Sequence, residues 1–208
     1  MFKKTFLVVL VSFCMLPALA FSQENSDFGS WEYIQLIKSF SPKYYGLLRI
    51  EDRTKNNLHD TEVDFGVIGA GMAFTPWLKS DLSYEFWSIK PGMKTDKIVL
   101  TAQATMSRDG LVNFIRQKAE WTMPRNVGKD GMVWRTKLQS QYRIPESIFS
   151  PYVAYEIFYD KAWIRSLHYV GTEVSIDKHS SLDFFYLYHM RAGACPMHTA
   201  GIGYFFRF

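Results

Sequence analysis

Cys195-Pro196-Met197-His198-Thr199-Ala200-Gly201-Ile202-Gly203-Tyr204-Phe205-Phe206-Arg207-Phe208 closes the chain as an alternating stretch. Successive side chains of a strand point to opposite sides, so Ala200, Ile202, Tyr204, Phe206 and Phe208 share one face, and Thr199, Gly201, Gly203 and Arg207 share the other. The apolar face grows more aromatic towards Phe208. A face of that kind needs lipid rather than water, so the stretch predicts the last strand of an antiparallel transmembrane β-barrel of the outer-membrane type. Tyr204, Phe206 and Phe208 are then the signal that the barrel-insertion machinery reads during assembly.

The other end of the sequence predicts export. Lys3 and Lys4 precede the apolar run Phe6 to Leu16, Pro17 breaks it, and Ala18-Leu19-Ala20 fits the small-x-small pattern of a signal-peptidase site. Residues 1–20 therefore read as a signal peptide and residues 21–208 as the barrel domain, with a cut after Ser22 as the alternative. The apolar run is shorter than the about 20 residues that a membrane-spanning helix takes. Cys14 follows Phe13 rather than a small residue, which argues against a lipid-attachment site, and it leaves with the leader.

Removing Lys3 and Lys4 takes the 24 basic side chains to 22 against 20 acidic ones, a net charge of +2. So even a balance offers no clustered basic face for nucleic acid. Cys195 is the one cysteine left, so no intramolecular disulfide is expected. Charged residues interrupt every later apolar run, yet 48% of the residues are hydrophobic and 17% aromatic. Without helices, only a closed barrel satisfies the backbone inside a membrane.

Period-two patterning places strands at 28–40, 44–54, 61–74, 77–89, 95–107, 111–122, 131–144, 149–159, 162–176, 179–191 and 196–208. Ile98, Leu100, Ala102, Ala104 and Met106 oppose Lys97, Thr101, Gln103 and Thr105, and Asp109-Gly110 then supplies a tight hairpin. A soluble sandwich would also alternate. The apolar faces here instead carry Trp134, Tyr142, Tyr155, Tyr159, Tyr188 and Phe208 near strand ends, as girdles at a membrane boundary do. Outer-membrane lipid is thus the expected surrounding.

Eleven segments conflict with the even strand numbers of bacterial single-chain barrels. The expectation is therefore 10–12 strands, with 12 favoured through a further strand in 21–40, or ten if 28–40 stays outside the wall. Counting back from the last strand puts the short turns 41–43, 75–76, 108–110, 145–148 and 177–178 on one side and the longer connections 55–60, 90–94, 123–130 and 192–195 on the other, with 160–161 short among them.

Several pieces taken in order resemble a known family. They are Trp31; Glu51-Asp52-Arg53; the Gly-rich strand leading into Thr75-Pro76-Trp77; Arg116-Gln117-Lys118-Ala119-Glu120; Arg135; Pro151-Tyr152-Val153-Ala154-Tyr155-Glu156; Arg165 with Gly171; and the aromatic end. From Trp31 to Phe208 the chain is similar to the outer-membrane β-barrels of Bacteroidota grouped as domain of unknown function twenty-four-ninety. The resemblance implies residence in the bacterial cell outer membrane and brings no established activity, cofactor or catalytic residue with it.

The polar faces collect Arg49, Glu51, Arg53, Glu85, Arg116, Lys118, Glu120, Arg135, Lys137, Glu156, Arg165, Asp183 and Arg191 as pore-lining candidates, with basic groups in excess. A barrel of about 8 strands is filled by its own side chains and one of about 16 leaves a channel, so this interior falls between. It reads either as a salt-bridged plug or as a narrow channel for small solutes with an anion preference. No His or Cys cluster suggests zinc, and neither a metal nor another cofactor is expected. Among the five histidines only His189 faces inward. With Thr199 across from it and Asp183 down the same face, it could serve an outer-membrane lipid hydrolase or acyl-transferase, the alternative reading. Ser166, the residue such chemistry would want, falls on the outward face. A surface adhesion barrel is the third reading, limited by short loops.

Overall fold

The computed structural model describes residues 26–89, 91–126 and 128–208. The leader expected at 1–20 lies outside the described residues, as do positions 21–25, where a further strand was sought. Among the described residues, eleven strands follow one another: β1 (Asp27–Ser39), β2 (Tyr44–Lys55), β3 (Asp60–Thr75), β4 (Leu78–Ile89), β5 (Met93–Arg108), β6 (Leu111–Pro124), β7 (Gly131–Tyr142), β8 (Phe149–Asp160), β9 (Ala162–Ser175), β10 (Ser180–Arg191) and β11 (Met197–Arg207). Each pairs with its neighbour, and the sheet closes into a barrel by joining β1 to β11.

The expectation of an even count gives way here. β1 is a wall strand, and with eleven strands the first and last run in the same direction, so the closing ladder is parallel, from Asp27 opposite Met197 to Ile37 opposite Arg207. Every other ladder is antiparallel. One rim, called carboxy-terminal here, holds the turns 40–43, 76–77, 109–110, 143–148 and 176–179. The amino-terminal rim holds 56–59, 91–92, 125–126, 128–130, 161 and 192–196. The expected difference in loop length disappears, because β5 and β6 run on into segments whose polarity read as loop. At the 109–110 hairpin, Asp109 and Gly110 both take positive φ, as a two-residue turn with strand-matching twist requires.

The outward surface is an apolar band. Ile34, Leu48, Ile50, Ile68, Leu82, Leu100, Ile115, Leu138, Phe184 and Ile202 are exposed along its middle. Trp121, Trp134, Tyr159 and Trp163 ring it near the amino-terminal rim, and Phe40, Tyr44, Phe74, Trp77, Phe149 and Phe208 near the carboxy-terminal rim. Exposed large side chains arranged as a belt between two aromatic rings cost free energy in water and are stable against hydrocarbon with headgroups at either edge. The buried hydrophobic residues point into the lumen. Trp31, Tyr33, Tyr152, Phe158, Leu167, Tyr169, Phe185 and Leu187 form one cluster, and Val63, Phe65, Val67 and Trp87 a second.

Glycine makes room for this filling. A Cβ on Gly201 would lie 2.0 Å from the Phe185 ring, and one on Gly203 would lie 2.1 Å from the Tyr33 ring. Both glycines sit on the inward face of β11, where two aromatic rings cross the wall.

Candidate functional site

Two ion-pair clusters face each other at mid-height in the lumen. On β5 to β9, the Arg135 guanidinium bridges two carboxylates, with Nη1 donating to Glu120 and Nε and Nη2 donating to Glu156 Oε1 at 3.2 and 3.0 Å. Lys97 Nζ reaches Glu120 at 3.2 Å, and the Tyr169 hydroxyl donates to Glu156 Oε2 at 3.1 Å. On β2, Glu51 accepts from Arg49 Nε and Arg53 Nε, each at 2.7 Å. The Arg53 guanidinium lies 3.8 Å over the Trp31 ring, Trp87 Nε1 donates to Glu85 at 2.9 Å, and Lys97 sits 3.7 Å over Trp87. Arg165 covers Phe158 at 3.9 Å. Period-two alternation aims all of these groups at one axis, and each carboxylate is held by charge-assisted donors, which is how buried charge is tolerated.

Below this layer the lumen opens. A cavity of about 380 Å³ runs from the Arg53, Trp87 and Arg135 level down to Lys79, Gln141 and Arg207 beside the carboxy-terminal rim. Its wall also carries Asp183, which accepts from the Tyr33 hydroxyl at 2.6 Å and the Tyr152 hydroxyl at 2.9 Å. Above the layer, Val63, Thr95, Leu167, Leu187, His189 and Thr199 are each at most 4% exposed and do not line the cavity. The lumen is therefore a cup, open towards one rim and packed towards the other.

The pore-lining candidates divide accordingly. Arg49, Glu51, Arg53, Glu85, Arg116, Lys118, Arg135, Lys137, Glu156 and Asp183 line the cup. Glu120, Arg165 and Arg191 do not; Glu120 anchors the central layer from behind, and Arg191 pairs with Glu62 at 3.2 Å near the amino-terminal rim. The structure brings His189 and Thr199 together, with Nε2 and Oγ1 3.2 Å apart, but leaves Asp183 on its two tyrosines and His189 Nδ1 buried without a hydrogen-bond partner. Hydroxyl, imidazole and carboxylate do not assemble there. On the outward face, where alternation puts both, Ser166 Oγ and His168 Nε2 lie 3.4 Å apart. Tyr204 and Phe206 stand on the outward face of β11 and Phe208 follows its end, with the Phe206 and Phe208 rings 5.2 Å apart. Cys195 is free and exposed. Among the described residues, no group of three or more His, Cys, Asp or Glu side chains is placed to hold a metal ion.

Sequence reasoning missed the inward aromatics, having assigned aromatic residues chiefly to the outer girdles. The usable signal was glycine: Gly171, Gly201 and Gly203 fall on inward faces, and each leaves the space that Tyr152, Phe185 or Tyr33 fills.

A family model described as "Protein of unknown function (DUF2490)" matches residues 28–194. No curated protein matches the chain. Among solved structures, the NanC porin in a rhombohedral crystal form is similar at a TM-score of 0.58 and 11% identity, over 88% of this chain and 100% of that one. A KdgM porin in complex with disordered oligogalacturonate is similar at 0.53 and 9% identity, over 86% of this chain and 98% of that one. At such identities the likeness is one of fold, and the fold is that of a porin-like membrane β-barrel.

Proposed function

We propose, for a chain that belongs to the DUF2490 family of proteins of unknown function, that it is an integral barrel of the bacterial outer membrane acting as a narrow channel for small anionic solutes. The carboxy-terminal rim faces the periplasm. The observation that carries this reading is the cup itself, which is lined by more basic than acidic side chains and narrows to the Arg135 and Arg53 layer. A positive lining behind low-dielectric walls concentrates anions, and a cross-lumen ion-pair layer limits what passes to small species. The oligogalacturonate in the KdgM structure is a polyanion, which agrees in sign.

The test is planar-bilayer recording of the refolded protein. A low, anion-favouring conductance is expected. Arg135→Ala should raise it by opening the layer, and Arg116→Ala should lower the anion preference. Zero conductance in both wild type and Arg135→Ala would overturn the channel reading and leave a structural barrel. The same preparations, assayed for phospholipid hydrolysis with His189→Ala and His168→Ala, decide the hydrolase alternative; no turnover is expected.

A further inference from the structure

The two sides of the cup are not equally neutralised. On β5 to β8, Lys97, Arg116, Lys118, Arg135 and Lys137 outnumber the two carboxylates that those strands supply to the lumen, Glu120 and Glu156, with Glu85 on β4 and Asp183 on β10 as further acidic groups on its wall. Arg135 and Lys97 take Glu120, and Arg135 also takes Glu156 Oε1 at 3.0 Å. Arg116 reaches that same oxygen only at 3.7 Å, and its Nε is buried without an acceptor. Lys118 and Lys137 make no ion pair among the described residues; Lys137 rests 4.2 Å over the Tyr169 ring. All three line the cavity. Arg116 and Lys137 are direct partners across the β6 and β7 ladder, and Lys118 is two residues from Arg116 on the same face. A fork-shaped donor with a spare N–H therefore sits beside two ammonium groups, in a concave site away from bulk water.

Cations left unneutralised in a low-dielectric wall are costly, and proteins relieve that cost by pairing them. We infer that Arg116, Lys118 and Lys137 form a binding site for the terminal phosphate group of a small solute. Three basic donors converging on one concave spot match a dianion with several acceptor oxygens. The guanidinium fork suits two of those oxygens, and the ammonium groups act as point charges on the others. A monocarboxylate offers one charge and two oxygens and leaves one of the three cations unanswered. The cavity of about 380 Å³ lies within the range for small-molecule pockets, so the phosphate can carry a further group towards the carboxy-terminal rim. The site requires only the folded barrel, and it stands whether or not the barrel conducts.

The test is isothermal titration of the refolded barrel in detergent with inorganic phosphate and with glycerol 3-phosphate, against acetate and galacturonate. Heat-modifiable migration on unboiled gels checks folding of every variant. Wild type should bind both phosphates and bind acetate and galacturonate at least about tenfold more weakly. Lys118→Gln and Lys137→Gln should each weaken phosphate binding about tenfold, the size of one charge-assisted contact. Arg108→Gln, at an exposed position on the carboxy-terminal rim, should leave it unchanged. Binding of glycerol 3-phosphate but not inorganic phosphate would confine the site to esters and sustain it. Failure of wild type to bind either inorganic phosphate or glycerol 3-phosphate, equal binding of galacturonate, or full affinity in both lysine variants would overturn it. Bilayer recording on the same samples keeps the two proposals apart, since binding without conductance removes only the channel and conductance without binding removes only the site.

Discussion

The amino-terminal and carboxy-terminal halves of the lumen come from the same eleven strands, but they handle charge in different ways. In the upper layer Glu51, Glu120 and Glu156 each have two or more donors, and Glu156 is 1% exposed with Arg135, Arg116 and Tyr169 around it. In the cup, Lys118 and Lys137 are half-buried on the cavity wall and make no ion pair among the described residues. The first arrangement holds the wall together and the second leaves charge available to a solute. Pairing within the lumen thus separates scaffold from site where residue type does not, because arginine and lysine occur in both.

The largest expected effect tests the scaffold half. Glu156→Ala strands Arg135 without its second carboxylate and should cost about 3–5 kcal/mol of stability, since it leaves buried charge uncompensated. Lys137→Gln, one strand away, should stay within about 0.5 kcal/mol. Denaturant unfolding of both refolded variants checks this, and similar losses would erase the contrast. Next comes the outer surface, where Leu100 and Leu138 are 54% and 48% exposed near mid-strand. Arg at either position should cost roughly 2–4 kcal/mol in a bilayer, whereas Gln103→Arg, on the lumenal face, should be milder. Equal losses at all three would mean that the faces are misassigned. A smaller loss, about 1–3 kcal/mol from overpacking, is expected for Gly201→Ala, whose new methyl would meet the Phe185 ring.

The smallest effect belongs to a turn outside both halves. Asp177 Oδ1 accepts from the backbone N–H of His179 at 2.6 Å and of Ser180 at 2.8 Å, and these bonds hold its carboxyl below the usual range. Its contribution is present above the unfolded value of about 3.9 and is lost as pH falls through the lower folded value. The gap in unfolding midpoint between wild type and Asp177→Ala should therefore be visible at neutral pH and close in acid. A gap that widens as pH falls would reverse the assignment.

Much of the wall was legible in the sequence, because alternation is a local property. Which of Leu100 and Thr101 faces out, and which of Arg116 and Gln117 faces in, follows from period two once a turn such as Asp109-Gly110 fixes the phase. Strand number was not legible, since it depends on how β1 meets β11 across the whole chain. Nor was pairing. Which lysine finds a carboxylate depends on tilt and shear, which bring Arg135 between Glu120 and Glu156 but leave Lys118, its neighbour across the ladder, without one. Nor was the partner of Asp183 legible, for the same reason: the hydroxyls of Tyr33 on β1 and Tyr152 on β8 donate to it, and His189 does not.

The parallel seam between β1 and β11 also fixes how this wall can be rewired. In a barrel closed antiparallel, the two ends of the sheet meet at one rim, and a link of a few residues would join them. Here Phe208 and Asp27 lie at opposite rims, separated by the full length of an 11-residue strand, about 35 Å. A circular permutant made by joining them would need a crossover of a dozen residues or more, running through the cup or over the apolar belt. The first would fill the site and the second would put polar backbone into lipid, so this barrel has one workable order for its strands.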